Sequence, residues 1–156
     1  MKLKKRNGFT LVEMMIVIAI FAILAAIAIP SFGIYTRNKA LQSAARELAA
    51  DIELVRQRAK ADSTTYTLQF IDNTTYTYQF FNVNVNPPVA EPPVLKDVTT
   101  FYPDITFVQT FPGSLVNCTS RGAVSWGTVT LTNSRLSTAS ITVAPTWRLN
   151  VAYTAH

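Results

Sequence analysis

The chain opens MKLKKRNGFTLVEMMIVIAIFAILAAIAIPSF, and this stretch constrains the fold more than any other. Lys2, Lys4, Lys5 and Arg6 precede Gly8, and an apolar segment follows. No polar residue interrupts Met14 to Ile29. Counted from Phe9, with Thr10 and Glu13 included, the segment is 21 residues long. As a helix rising 1.5 Å per residue it spans about 31 Å, close to the hydrocarbon thickness of a bilayer. The basic cluster would stay on the cytoplasmic side, which places the C-terminus outside.

The difficulty is Glu13, a carboxylate inside the apolar stretch. Three readings address it. A cleaved secretory signal would use the small-x-small site Ala26-Ile27-Ala28 and leave a chain starting at Ile29, although the apolar run exceeds the usual 7–15 residues. An uncleaved anchor would tolerate Glu13 in the first helical turn, where the helix dipole favours a negative charge. A cut between Gly8 and Phe9 accounts for the carboxylate more directly. Phe9 would then carry a new ammonium one helical turn from Glu13. A buried carboxylate is costly without a partner. The Phe9 ammonium of a neighbouring subunit could serve as that partner, making Glu13 a register device for assembly. Gly8 suits the cut, since it brings backbone close to a protease with no side chain in the way.

These residues carry a resemblance. Gly8-Phe9-Thr10-Leu11-Val12-Glu13, after a short basic leader and before an apolar helix ending at Pro30, resembles the class III signal of type IV pilins and pseudopilins. The resemblance implies a leader, residues 1–8, removed by a prepilin peptidase. It also implies N-methylation of Phe9 and insertion in the inner membrane with the C-terminal domain extracytoplasmic. Assembly with other pilin or pseudopilin subunits would then run through Glu13 and a helix softened at Pro30.

Pro30 removes one helical hydrogen bond and clashes with the carbonyl four residues earlier, so a kink or melted turn is expected there. Beyond Gly33 the pattern becomes amphipathic. Leu41, Ala45, Leu48, Ile52, Val55 and Ala59 recur at spacings of three and four, which defines one face of a helix running to about Ala61. The stripe is short for a coiled coil and should lie on a sheet. Arg37, Lys39, Arg46, Arg56, Arg58 and Lys60 read as a solvated face.

Residues 62–156 read as β-structure. Thr65–Ile71 and Thr75–Phe81 alternate around a turn at Asp72-Asn73-Thr74. Val98–Tyr102, Ile105–Gln109, Thr128–Thr132, Ala139–Val143 and Trp147–Ala152 are further strand-like runs. Residues 82–97 hold two Pro-Pro pairs and read as an exposed extended loop. The expected fold is α+β. A membrane segment over 9–29 and an amphipathic continuation over 30–61 form one long helix, packed on an antiparallel β-sandwich-like domain over 62–156.

A second resemblance covers the C-terminal half. Arg121-Gly122-Ala123-Val124-Ser125-Trp126-Gly127-Thr128-Val129-Thr130-Leu131 and Ile141-Thr142-Val143-Ala144-Pro145-Thr146-Trp147-Arg148 are similar to GspH/FimT-like minor pseudopilins. Trp147 stands where that family usually has Gly.

Charge and chemistry narrow the function. The net charge of +5 is largely the leader's: residues 9–156 hold ten basic against nine acidic groups. The balance is weak evidence for nucleic acid. Some members of this family bind DNA, for which Arg121, Arg135 and Arg148, with Trp126 and Trp147 as stacking partners, are the available residues. No catalytic set is visible. The only His is His156 and the only Cys is Cys118, which excludes an internal disulfide and leaves no zinc cluster. Five glycines give no phosphate-loop spacing. No enzyme, cofactor or metal is expected.

Overall fold

The computed structural model describes residues 9–144 and 148–155. The chain falls into two compact units, divided after Thr36. The helix α1, Leu11–Ala61, begins in the first and ends in the second.

In the first unit the apolar sequence forms a helix with no core of its own from Phe9 to Ile27. Every residue from Phe9 to Ile27 is exposed, including Ile18 at 67% and Phe21 at 66%. So large an apolar surface marks a membrane or protein contact. The helix is continuous through Pro30: of the kink or melted turn expected there, the melted turn is absent. Proline deletes one N–H bond, and the bonds of the flanking turns carry the helix past it. The Thr36 hydroxyl donates to the Gly33 carbonyl at 3.0 Å.

In the second unit the amphipathic stripe forms the centre of the core. Leu41, Ala45, Leu48, Ile52, Val55 and Ala59 are all at most 2% exposed. The helix ends in a Schellman motif with Ser63 in the left-handed region (φ 52). The Thr64 N–H reaches the Ala59 carbonyl at 3.1 Å, and the Ser63 N–H reaches Lys60 at 3.4 Å.

The strands are β1 Tyr66–Phe70, β2 Thr75–Tyr78, β3 Phe81–Asn82, β4 Val89–Ala90, β5 Val94–Asp97, β6 Thr106–Gln109, β7 Leu115–Cys118, β8 Gly127–Thr132, β9 Thr138–Val143 and β10 Leu149–Thr154. They form two four-stranded antiparallel sheets, ordered β5-β2-β1-β7 and β10-β9-β8-β6, and a two-stranded ribbon β3-β4. Alternation drives the two larger sheets. In β8 the residues Gly127, Val129 and Leu131 are buried while Thr128, Thr130 and Thr132 face outward. The β1–β2 turn is held by Asp72, whose Oδ1 accepts from the N–H groups of Thr74 and Thr75 at 2.7 Å each.

Two sequence expectations are corrected here, and one strand is added. Val98–Tyr102 is not a strand: Val98–Thr100 is a 3-10 turn, because the Asp97 side chain accepts from the Thr99 N–H at 2.8 Å and caps it. Residues 82–97 are not one extended loop. Pro87, Pro88, Pro92 and Pro93 fall in connections, while Val94–Asp97 pairs with β2 as an outer strand of the first sheet. The strand Leu115–Cys118 was not anticipated. It follows a tight turn with Gly113 at φ 65 and Ser114 at φ 59.

Candidate functional site

The site centres on the start of α1. Thr10 precedes the first helical residue, and Glu13 lies in the first turn. The Thr10 N–H donates to Glu13 Oε2 at 2.9 Å, and the Thr10 hydroxyl donates to the same oxygen at 2.9 Å. In return the Glu13 N–H donates to Thr10 Oγ1 at 3.2 Å. This is a reciprocal capping box: two backbone donors that open a helix unsatisfied are each given a side-chain acceptor. Among the described residues, Oε1 of Glu13 has no hydrogen-bond partner. Phe9 is 79% exposed. Gly8, on the other side of the expected cut, lies outside the described residues.

The capping box went unread in the sequence analysis, although its signal was present: Thr-x-x-Glu immediately before an apolar run. Glu13 is the only charged residue from Phe9 to Thr36.

Several cationic residues of the second unit are committed to neighbours. Arg37 Nε donates to the Tyr102 hydroxyl at 3.2 Å, and its guanidinium lies 5.3 Å from that ring. Arg56 makes a two-pronged contact with Glu53 at 2.9 and 2.7 Å. Arg58 bridges Asp62 at 2.8 Å and Glu91 at 3.1 Å. It ties the connection after the ribbon to the helix end.

The three arginines considered for DNA do not form one patch. Arg121 lies in the turn closed by the Gly122 N–H to the Thr119 carbonyl at 2.7 Å. Arg135 lies in the β8–β9 hairpin, beyond the Thr132–Thr138 pair. Arg148 precedes β10 at the opposite end of β9, beside the Leu149–Val143 pair. A six-residue strand separates Arg135 from Arg148 by about 20 Å. Trp126 is 68% exposed, and Trp147 lies outside the described residues. Cys118 is fully buried, and burial pushes its thiol up to about 12, far from a reactive thiolate. Among the described residues no three His, Cys, Asp or Glu side chains are grouped to hold a metal.

A long helix, bare and apolar in its first half and laid on antiparallel sheets in its second, defines the class of pilin-like subunits. Residues 3–29 match the prokaryotic N-terminal methylation motif. Residues 44–147 match Type II transport protein GspH, and the chain belongs to that family. Its sequence is 50% identical over 48 residues to a fimbrial protein of Pseudomonas aeruginosa, 31% of each chain. The chain thus spans about a third of the length of the curated relatives it matches. The fold is similar to the minor pseudopilin EpsH of the Vibrio cholerae Type 2 Secretion System. The TM-score is 0.58 at 10% identity, covering 72% of this chain and 96% of EpsH. It is equally similar to the type IV minor pilin FimU of Pseudomonas aeruginosa, with a TM-score of 0.58 at 16% identity, covering 76% and 92%.

Proposed function

We propose that this chain is a structural subunit, a minor pilin or pseudopilin, of a type IV pilus or a type II secretion pseudopilus. The observation that carries the reading is a bare apolar helix from Leu11 to Ile27 whose one charged group is Glu13. Such a surface can be covered first by lipid and then by the helices of neighbouring subunits. The methylation-motif match supports processing by a prepilin peptidase between Gly8 and Phe9 and methylation of Phe9. Before assembly the subunit spans the inner membrane once, with its β-domain on the outer side.

On this reading Glu13 has two uses for its two oxygens. Oε2 is held by Thr10, and Oε1 remains available for the Phe9 ammonium of a neighbour. The helix cap therefore need not break for the intersubunit ion pair to form.

The test is incorporation. Glu13→Ala should leave the chain processed and in the membrane but scarce in sheared filaments. Wild-type levels in the filament fraction would rule out Glu13 as an assembly residue. Intact mass adds a separate check: a chain starting at Phe9 with one added methyl group is expected. A chain starting at Ile29 would replace the filament reading with a secreted protein.

A further inference from the structure

Arg37 is the first residue of the second unit, and α1 changes character around it. Before it, Phe32 and Tyr35 are 68% and 58% exposed. After it, Leu41 is 2% exposed and begins the stripe that forms the core. A helix with no packed face is marginal in water. The stretch between the apolar run and Arg37 also carries Pro30, which has no backbone donor, and Gly33, a weak helix former. It is the part of α1 best able to unwind, and it leads directly into the packed part.

Arg37 and Asn38 are held by segments remote in sequence. Arg37 Nε donates to the Tyr102 hydroxyl and Nη1 to the Ser134 hydroxyl, each at 3.2 Å, while the guanidinium lies over the Tyr102 ring. Asp104 Oδ2, 3.9 Å from Nη1, accepts from the Ser134 N–H at 3.2 Å and from the Ser134 hydroxyl. Its Oδ1 is buried with no hydrogen-bond partner among the described residues, so the carboxylate depends on the cation beside it. Asn38 Oδ1 accepts from Asn133 Nδ2 at 3.3 Å. Asn133 is itself fixed: it is 3% exposed, and its Oδ1 accepts from the N–H groups of Arg135 and Ser137 at 3.0 and 3.1 Å. The helix is thus gripped by the β5–β6 connection and by the β8–β9 hairpin. A lone surface ion pair would contribute little. A stacked guanidinium fork, bonded to groups that are bonded to each other, holds a planar geometry that a lysine cannot copy.

We propose that the grip on Arg37 is a stop for unwinding of α1. Loosening that starts near Pro30 or Gly33 ends there, and the helix from Leu41 onward keeps its seat in the core. In an α-helix the N–H groups of Leu41–Ala44 bond to the carbonyls of Arg37–Ala40. Those bonds survive upstream unwinding while the turn Arg37–Ala40 stays helical, and the contacts of Arg37 and Asn38 hold that turn. The stop separates a helix that can be reshaped by its surroundings from a β-domain that keeps one structure. It follows from contacts within the second unit and does not rest on the assembly reading.

The experiment is residue-resolved amide hydrogen exchange on the full chain in detergent micelles. The perturbation is Gly33→Pro, which breaks the helix upstream. A Cβ at Gly33 meets nothing within 4 Å, so the substitution acts through the helix backbone. In an otherwise unchanged chain it should speed exchange ahead of Leu41 and leave Leu41–Ala44 within about twofold. In Arg37→Ala the same substitution should speed Leu41–Ala44 by about tenfold or more, as expected for the loss of a charge-assisted bond. Arg37→Lys should fall between the two. Leu41–Ala44 unaffected by Gly33→Pro in Arg37→Ala overturns the proposal, since core packing alone would then end the unwinding. So does a rise of the same size with and without Arg37, since nothing would then be stopped there. The amides of β8 and β9 should stay slow in every variant, and fast exchange there in Arg37→Ala would make the residue part of the fold rather than a stop. Glu13→Ala should give the wild-type pattern, so the outcome is distinct from that of the filament test.

Discussion

Asp51 is a helix residue only 7% exposed, and among the described residues no ion pair closes on it. Its carboxylate is instead held by two tyrosines of β2. The Tyr76 hydroxyl donates to Oδ2 at 2.7 Å and the Tyr78 hydroxyl to Oδ1 at 3.3 Å. A hydrogen bond to a charged group contributes about 1.5–3 kcal/mol, and a buried acceptor deprived of its donor loses that in full. Tyr76→Phe deletes the shorter bond and should cost about 2 kcal/mol, while Tyr78→Phe, at the long edge of hydrogen-bond geometry, should cost about 1 kcal/mol. A double-mutant cycle of Tyr76→Phe with Asp51→Ala isolates the pair and should return a coupling of about 2 kcal/mol. Urea unfolding of the β-unit reads both. The same geometry has an alkaline signature. Burial, and then the bond to Asp51, raise the Tyr76 phenol far above its ordinary 10.0. A folded-state value raised above the unfolded one gives stability that is complete below pH 10 and lost as pH rises further. There the unfolded chain releases a proton that the folded one keeps, so stability falls by about 1.4 kcal/mol per pH unit for each such group. Cys118, pushed up by burial from 9.0 to about 12, begins the decline one unit earlier and should be separated with Cys118→Ala. Tyr76→Phe should flatten the slope above pH 10. A cost under about 0.5 kcal/mol with an unchanged alkaline slope would refute the buried carboxylate–phenol pair, since a broken charged bond cannot be so cheap.

Other outcomes follow from single contacts. Thr10→Val removes the hydroxyl that exchanges bonds with Glu13 and should destabilise the start of α1 by about 1 kcal/mol, seen as faster amide exchange over the first helical turn. Thr10→Ser should restore it. Gly127→Ala forces a Cβ to 2.7 Å from the Phe111 ring. It should cost about 1–3 kcal/mol in denaturant unfolding, because both partners are buried and the ring must leave its place. Ser63→Gly relieves a left-handed residue at the helix end (φ 52) and should stabilise the β-unit by about 1 kcal/mol in the same assay.

The helix was legible because its two halves obey different rules. An uninterrupted apolar run needs no partner within the chain to be recognised, and the stripe from Leu41 to Ala59 keeps one face by simple periodicity. Strands with full alternation, such as Thr128–Thr132, were equally plain. The misreadings have separate causes. Val98–Tyr102 carries β-branched and aromatic residues, yet a single aspartate, Asp97, turns the backbone by capping it. Val94–Asp97 lies beside Pro-Pro pairs that suggest irregular chain, yet its pairing with β2 is decided by tertiary contact. Leu115–Cys118 is too short to show a period. At the site, the composition of the apolar segment pointed to Glu13, while its contact with Thr10 required reading the four residues Thr10 to Glu13 as a cap rather than as part of a membrane run.

That cap changes how the carboxylate in the apolar helix is understood. A bare carboxylate there would be so costly that it would tend to take up a proton and lose its use as a register device. Thr10 offers two donors to one oxygen, and the helix start is where the dipole favours a negative charge. Hydrogen bonds from neutral donors spread a charge but do not cancel it. The unassembled subunit would therefore keep a residual demand for a cation at a fixed height on the helix, on the oxygen Thr10 does not use. An apolar helix alone could slide past its neighbours with little change in contact, since every turn presents similar side chains. On the assembly reading, one carboxylate at one height would remove that freedom, because its demand would be met only where a neighbour's ammonium stands opposite. On the same reading, the threonine holds one oxygen of the carboxylate in place, and the other gives an otherwise featureless surface its register.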